Sequence, residues 1–184
     1  MFRKLILVVA CLCFASTAAM AGNFELTSPT IKSGATLTEE QVFAGFGCTG
    51  KNQSPALNWT PGPKGTKSYA ITVYDPDAPT GSGWWHWVVY NIPANVTELA
   101  SGAGDISGKL LPPGVLQGRT DYGTHAFGGA CPPKGDKPHR YIFTIYSLKI
   151  EKIDVPEDAS AALIGFMINA NTLAKSSFTA KFSR

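Results

Sequence analysis

The sequence predicts a mainly β fold, a strand-rich sandwich with one main helix packed outside it. Three observations carry this. Several segments alternate apolar and polar residues with period two, one segment is apolar on both faces, and glycine and proline clusters punctuate the intervals. Neither an internal repeat, a charge block nor a linker divides the chain.

Residues 1–21 open with Arg3 and Lys4, continue with an apolar stretch and close on Ala19-Met20-Ala21. These are the parts of a secretory signal peptide with an A-x-A cleavage site. A membrane anchor would need about 18 or more apolar residues, and Ser16 and Thr17 interrupt the run. Val8-Val9-Ala10-Cys11 offers a lipoprotein box as an alternative, with a very short apolar region ahead of the cut. Cleavage after Ala21 leaves one domain, residues 22–184, without an integral membrane segment. The loss of Arg3 and Lys4 takes the basic residues from 16 to 14 against 13 acidic ones, and the net charge from +3 to +1. So nearly neutral a surface offers nucleic acid or an anionic membrane little electrostatic attraction.

Cys11 and Cys13 leave with the signal, and Cys48 and Cys131 remain in an oxidising compartment. One disulfide between them is the simplest expectation, and two buried free thiols are the alternative. Neither cysteine stands in a C-x-x-C spacing, so no metal site is expected of them.

The first clear strand covers residues 68–74, which alternate. Asp75-Pro76-Asp77-Ala78-Pro79 follows, and its prolines fix their own φ while pushing Asp75 and Ala78 toward extended backbone. The result is a stiff rim that presents two carboxylates. After the turn at 80–83 comes Trp84-Trp85-His86-Trp87, and residues 86–92, apolar on both faces, read as a central strand. The loop Gly128-Gly129-Ala130-Cys131-Pro132-Pro133 leads to His139-Arg140-Tyr141 and a strand over 140–148, with Tyr141, Phe143 and Ile145 on one face. Residues 159–175 place Leu163, Phe166, Met167, Ala170 and Ala174 at helical spacing, the expected core-facing stripe, after a start at Pro156-Glu157-Asp158. Residues 176–182 alternate again, with Phe178, Ala180 and Phe182 on one side.

Two of the three histidines fall in the blocks 75–93 and 129–141. These blocks, in this order and about fifty residues apart, resemble the two signatures of the phosphatidylethanolamine-binding protein family, also called Raf-kinase-inhibitor-like proteins. Weaker similarity extends from about Phe24 to Phe182, and the form of residues 80–87 looks most like the bacterial branch. The resemblance implies an antiparallel sandwich of a large sheet beside a smaller one. It also implies a small anion pocket for phosphate-like or phosphorylethanolamine-like groups, with Asp75, Asp77, Trp84, His86, Gly129, Pro132, His139 and Tyr141 as ligand-binding residues. No catalytic residue, cofactor or metal is expected.

Charge gives these residues roles. Carboxylates repel phosphate, so the donors would be His86 and His139 when protonated, with backbone N–H groups near Gly129. Asp75 and Asp77 would orient those donors or meet a ligand's ammonium, to which Trp84 offers an aromatic face. The plainer reading of His86, in an apolar strand, is a satisfied core histidine. Trp85 and Trp87 read as core, and His125 receives no role. One residue departs from the family pattern: Cys131 stands where glycine often precedes the Pro-Pro pair, and a disulfide to Cys48 would brace the pocket loop.

The expected function is a non-catalytic, periplasmic or secreted binding protein for a small phosphorylated or zwitterionic ligand, with the inhibitory or signal-modulating roles known in the family. An interaction factor aimed at an envelope or host protein is the alternative. A phosphoester hydrolase using the Asp and His side chains is the third reading. It lacks a nucleophile elbow, an H-E-x-x-H string and a G-x-S-x-G string.

Overall fold

The structure, a computed structural model, describes residues 23–184, and the expected signal peptide lies outside the described residues. The elements run β1 (Leu26–Thr27), β2 (Ala44–Gly45), β3 (Cys48–Thr49), β4 (Leu57–Trp59), β5 (Ser68–Asp75), β6 (Trp84–Pro93), β7 (Glu98–Leu99), β8 (Leu116–Gln117), β9 (His139–Leu148), α1 (Ala161–Asn171) and β10 (Thr172–Phe182). A five-stranded sheet in the order β10-β9-β5-β6-β8 lies beside a three-stranded sheet, β1-β4-β7, and β2 and β3 form a small hairpin. Every ladder is antiparallel. This is the large-and-small sandwich expected from the sequence.

Both faces of the large sheet are covered, which explains why its middle strands read as apolar throughout. On one face Tyr69, Ile71 and Val73 of β5, Trp87 and Val89 of β6 and Phe143 and Ile145 of β9 pack with Leu26, Leu57, Trp59 and Leu99 of the small sheet. On the other, Ala70, Val88, Tyr90 and Leu148 pack under Ala161, Ile164 and Ile168 of α1. The most central strand is β5, between β6 and β9, whereas β6 borders the two-residue β8.

The helix departs from expectation in face and length. Its buried residues are Ala161, Ile164, Gly165 and Ile168, while Leu163 and Phe166 are exposed and Met167 is half-buried. Two apolar stripes share this helix, so spacing alone could not say which faces inward. Ser160 caps it by accepting a hydrogen bond from the Leu163 N–H, two residues past the expected start at Pro156-Glu157-Asp158. It stops at Asn171 because Thr172 begins β10, whose ladder with β9 takes over the backbone hydrogen bonds and draws Ala174 into a strand. Among the described residues no helix is long and apolar enough to cross a membrane.

Candidate functional site

Because β5 runs antiparallel to both its neighbours, the end of β5 meets the beginnings of β6 and β9 at one edge of the sandwich. Asp75, Trp84, His86, His139 and Tyr141 therefore converge, although they are spread over 67 positions of the sequence. A β-bulge completes the arrangement. The β5–β6 register shifts between Val73 and Tyr74, pairing Val73 with Trp87 and Tyr74 with Trp85 and leaving His86 without a partner across the ladder. Bulges re-aim side chains. Here Trp85 turns toward α1 and His86 turns toward Tyr141, with ring centroids 5.0 Å apart.

The hydrogen bonds then sort the polar groups. His86 donates its Nδ1–H to the Gly128 carbonyl at 2.7 Å, which leaves Nε2 as the nitrogen available to a ligand. Burial holds this imidazole below its ordinary pKa, outweighing the Gly128 carbonyl and the Asp75 charge that act the other way. Near neutral pH His86 is thus neutral, with an acceptor at Nε2 that has no partner among the described residues. The Nδ1 of His139 lies 2.7 Å from Asp75 Oδ2 and its Nε2 3.4 Å from Asp136 Oδ2, so both its nitrogens already face carboxylates. Asp75 also accepts the Asp77 N–H through Oδ1 at 2.8 Å. Neither histidine leaves both its ring nitrogens open to a ligand.

Asp77 lies elsewhere. Its carboxylate takes a two-pronged pair from Arg140, Nε to Oδ2 at 2.9 Å and Nη2 to Oδ1 at 2.7 Å, and this partner holds its pKa down at about 2. It lines an open basin with Lys137, Arg140 and Lys181, across His139 from the other candidates. The proline-stiffened rim thus aims its two carboxylates to opposite sides.

The remaining residues enclose a cavity of about 160 Å³ that includes Trp84, His86, Tyr122, Pro132 and Tyr141. Four buried side-chain polar atoms lack a hydrogen-bond partner among the described residues: Trp59 Nε1, Trp84 Nε1, His86 Nε2 and Tyr141 Oη. Three of the four belong to side chains that line this one cavity. Leaving such a group unpaired costs about 1–3 kcal/mol, so three together ask for an explanation that packing does not supply. Burial, and then the Asp75 charge, push the Tyr141 and Tyr122 phenols up, so both stay protonated and Tyr141 can donate. A larger cleft of about 470 Å³ near Asn52 and Asp105 has none of these unpartnered atoms on its walls. Among the described residues no three His, Cys, Asp or Glu side chains group to hold a metal.

Close packing shapes the loop over the cavity. A Cβ on Gly129 would collide with the Gln41 carbonyl, and one on Gly128 with the Tyr122 ring. Gly129 is therefore a packing residue, and its N–H is already given to Asn52 Oδ1 at 2.7 Å. The Pro132 carbonyl accepts from Arg184 Nε at 2.6 Å. Cys131 is bonded to Cys48, as expected, which joins this loop to the β2–β3 hairpin. Tyr122 and Phe46 line the cavity too, and sequence reasoning missed both. Tyr122 sits in a turn without periodicity, and Phe46 between two glycines gave a signal only for the turn.

The comparisons with known proteins agree with this fold. The family model described as phosphatidylethanolamine-binding protein matches residues 27–183. The UPF0098 protein YbcL of Escherichia coli (strain K12) is 56% identical over 176 residues, covering 96% of each chain. YbhB of the same organism is 52% identical over 160 residues, 86% of this chain and 99% of that one. The crystal structure of E. coli YbcL, described as a new member of the mammalian PEBP family, superposes with a TM-score of 0.86 at 57% identity, covering 88% of this chain and 98% of that one. A putative phosphatidylethanolamine-binding protein homologue from Chlamydia trachomatis gives 0.72 at 25% identity, over 88% and 97%.

Proposed function

Since the chain belongs to the phosphatidylethanolamine-binding protein family, we propose that it is a non-catalytic binding protein, exported to the periplasm, whose cavity receives a phosphate-like or phosphorylethanolamine-like group. The observation that carries this reading is the set of unpartnered polar atoms on one cavity: the Trp84 N–H and the Tyr141 O–H as donors and His86 Nε2 as an acceptor. A ligand that satisfies all three must offer acceptor oxygens and one proton. The monoanions of phosphate and of its monoesters do so, and a monoester loses that last proton at about pH 6. Sulfate offers oxygens only and would force a proton onto a His86 that burial keeps neutral.

Titration calorimetry of the mature protein with inorganic phosphate and with sulfate tests the reading. The expected result is phosphate binding that exceeds sulfate binding and weakens as pH rises, with proton uptake whenever the dianion is the form free in solution. Absence of phosphate binding, or equal affinity for the two anions with no proton uptake, would contradict it.

A further inference from the structure

Phe46 is the outlier of the structure. It is a large apolar side chain 70% exposed, and its φ of 51° lies in the left-handed region that bulky residues avoid. Strain of that kind persists only where the surroundings impose it, and it points from an observed outlier to a role. The surroundings here are unusually tight. Phe46 is at the tip of the β2–β3 hairpin, two residues from Cys48 and its disulfide to the pocket loop. Arg184 adds a second tie, bonding the Gly47 carbonyl at 2.8 Å through Nη1 and the Pro132 carbonyl at 2.6 Å through Nε. The hairpin is thus fastened to the opposite rim of the cavity at two points. Contacts with Phe43 and Tyr122, at 5.7 and 5.6 Å between ring centroids, account for where the ring sits. They do not account for its remaining mostly in water.

Cavity size suggests what the ring is for. Pockets that enclose a whole drug-sized ligand run to about 300–1,000 Å³. At about 160 Å³ this one holds a headgroup, and anything attached to that headgroup must leave through the mouth. The mouth is where Phe46 is exposed while still lining the cavity, with Tyr122 and Trp84 behind it. Asp77, the carboxylate its motif offers to a cationic substituent, is across His139 and paired with Arg140.

We propose that Phe46 is a specificity-determining residue, and that the ligand is a phosphate monoester whose substituent is flat and apolar and stacks on this ring as it leaves the cavity. The inference rests on the anion reading of the cavity and adds the identity of what the anion carries. An exposed ring loses apolar surface to a stacked partner, and offset or edge-on stacking adds to that gain.

The test uses methyl phosphate and phenyl phosphate as probes, with the mature wild type and with Phe46→Asn and Phe46→Gly. Both variants accept a positive φ and lack the ring, so each should melt at or above the wild-type temperature. The wild type should bind phenyl phosphate about tenfold more tightly than methyl phosphate, a difference of about 1.4 kcal/mol. In both variants the ratio should fall to near one. A wild type that binds methyl phosphate without preferring phenyl phosphate, or a preference that survives in the folded variants, overturns the role of Phe46 and leaves the anion reading standing. A wild type that binds neither probe overturns both.

Discussion

The Nδ1–H of His86 is held by the Gly128 carbonyl at 2.7 Å, and this one bond fixes what Nε2 presents to the cavity. With Nδ1 as the donor and the ring neutral, Nε2 is an acceptor. Nitrogen-detected NMR of the imidazole at neutral pH should show the proton on Nδ1 only. Linkage gives a second readout. The folded pKa of His86 lies below the unfolded value of about 6.5, so its contribution to stability is present above that pH and is lost as pH falls toward the folded value. Asn can keep the bond to Gly128 without titrating. The stability of the wild type relative to His86→Asn should therefore fall as pH drops below about 6.5. A difference that does not change with pH would show that His86 is not held neutral.

Asp77 gives a prediction opposite to the one its motif invites. Paired with Arg140 outside the cavity, it should not discriminate phosphorylethanolamine from phosphate, and Asp77→Asn should leave the ratio of the two affinities unchanged. The pair is partly exposed, with side chains 31% and 52% accessible, so its loss should cost at most about 1 kcal/mol at neutral pH. Because the Asp77 pKa is lowered to about 2, that contribution is present above the unfolded value and fades as pH falls through this range. Selective loss of phosphorylethanolamine binding in a calorimetric titration of Asp77→Asn would return this carboxylate to the site.

The Cys48–Cys131 disulfide closes a loop with a sequence separation of 83. Chain entropy places its contribution near 4.5 kcal/mol as an upper figure. Replacing both cysteines by serine should cost about 2–4.5 kcal/mol in denaturant unfolding. Because Arg184 still ties the hairpin to Pro132, the variant should retain part of its phosphate affinity. A loss below about 1 kcal/mol would mean that the crosslink adds little to a fold already specified by its core.

The strands were legible because alternation in 140–148 and 176–182 and the two-sided apolar run in 86–92 reflect directly which faces are covered. Six of the eight expected site residues line one cavity: five fall at strand ends that antiparallel pairing brings together, and Pro132 comes with the loop tied at Cys131. What could not be read was direction. The bulge at His86, which swaps Trp85 for His86 on the cavity side, leaves no mark in composition. Nor does the Arg140 that removes Asp77, since the two are 63 positions apart. In α1 two apolar stripes competed, and the one containing Ile164 and Ile168 was the one facing the sheet.

The measurement that bears most directly on the account is the paired stability and affinity of Tyr141→Phe. Its hydroxyl is buried without a partner among the described residues, so its removal should leave the melting temperature equal or higher. A donor to the bound anion would be lost by the same change, and phosphate affinity should fall about tenfold, the size of one hydrogen bond to a charged group. Stability kept or gained together with affinity lost identifies an atom reserved for a ligand. A Tyr141→Phe protein that binds phosphate as the wild type does, or a wild type that binds none, would contradict the assignment of this cavity as an anion site.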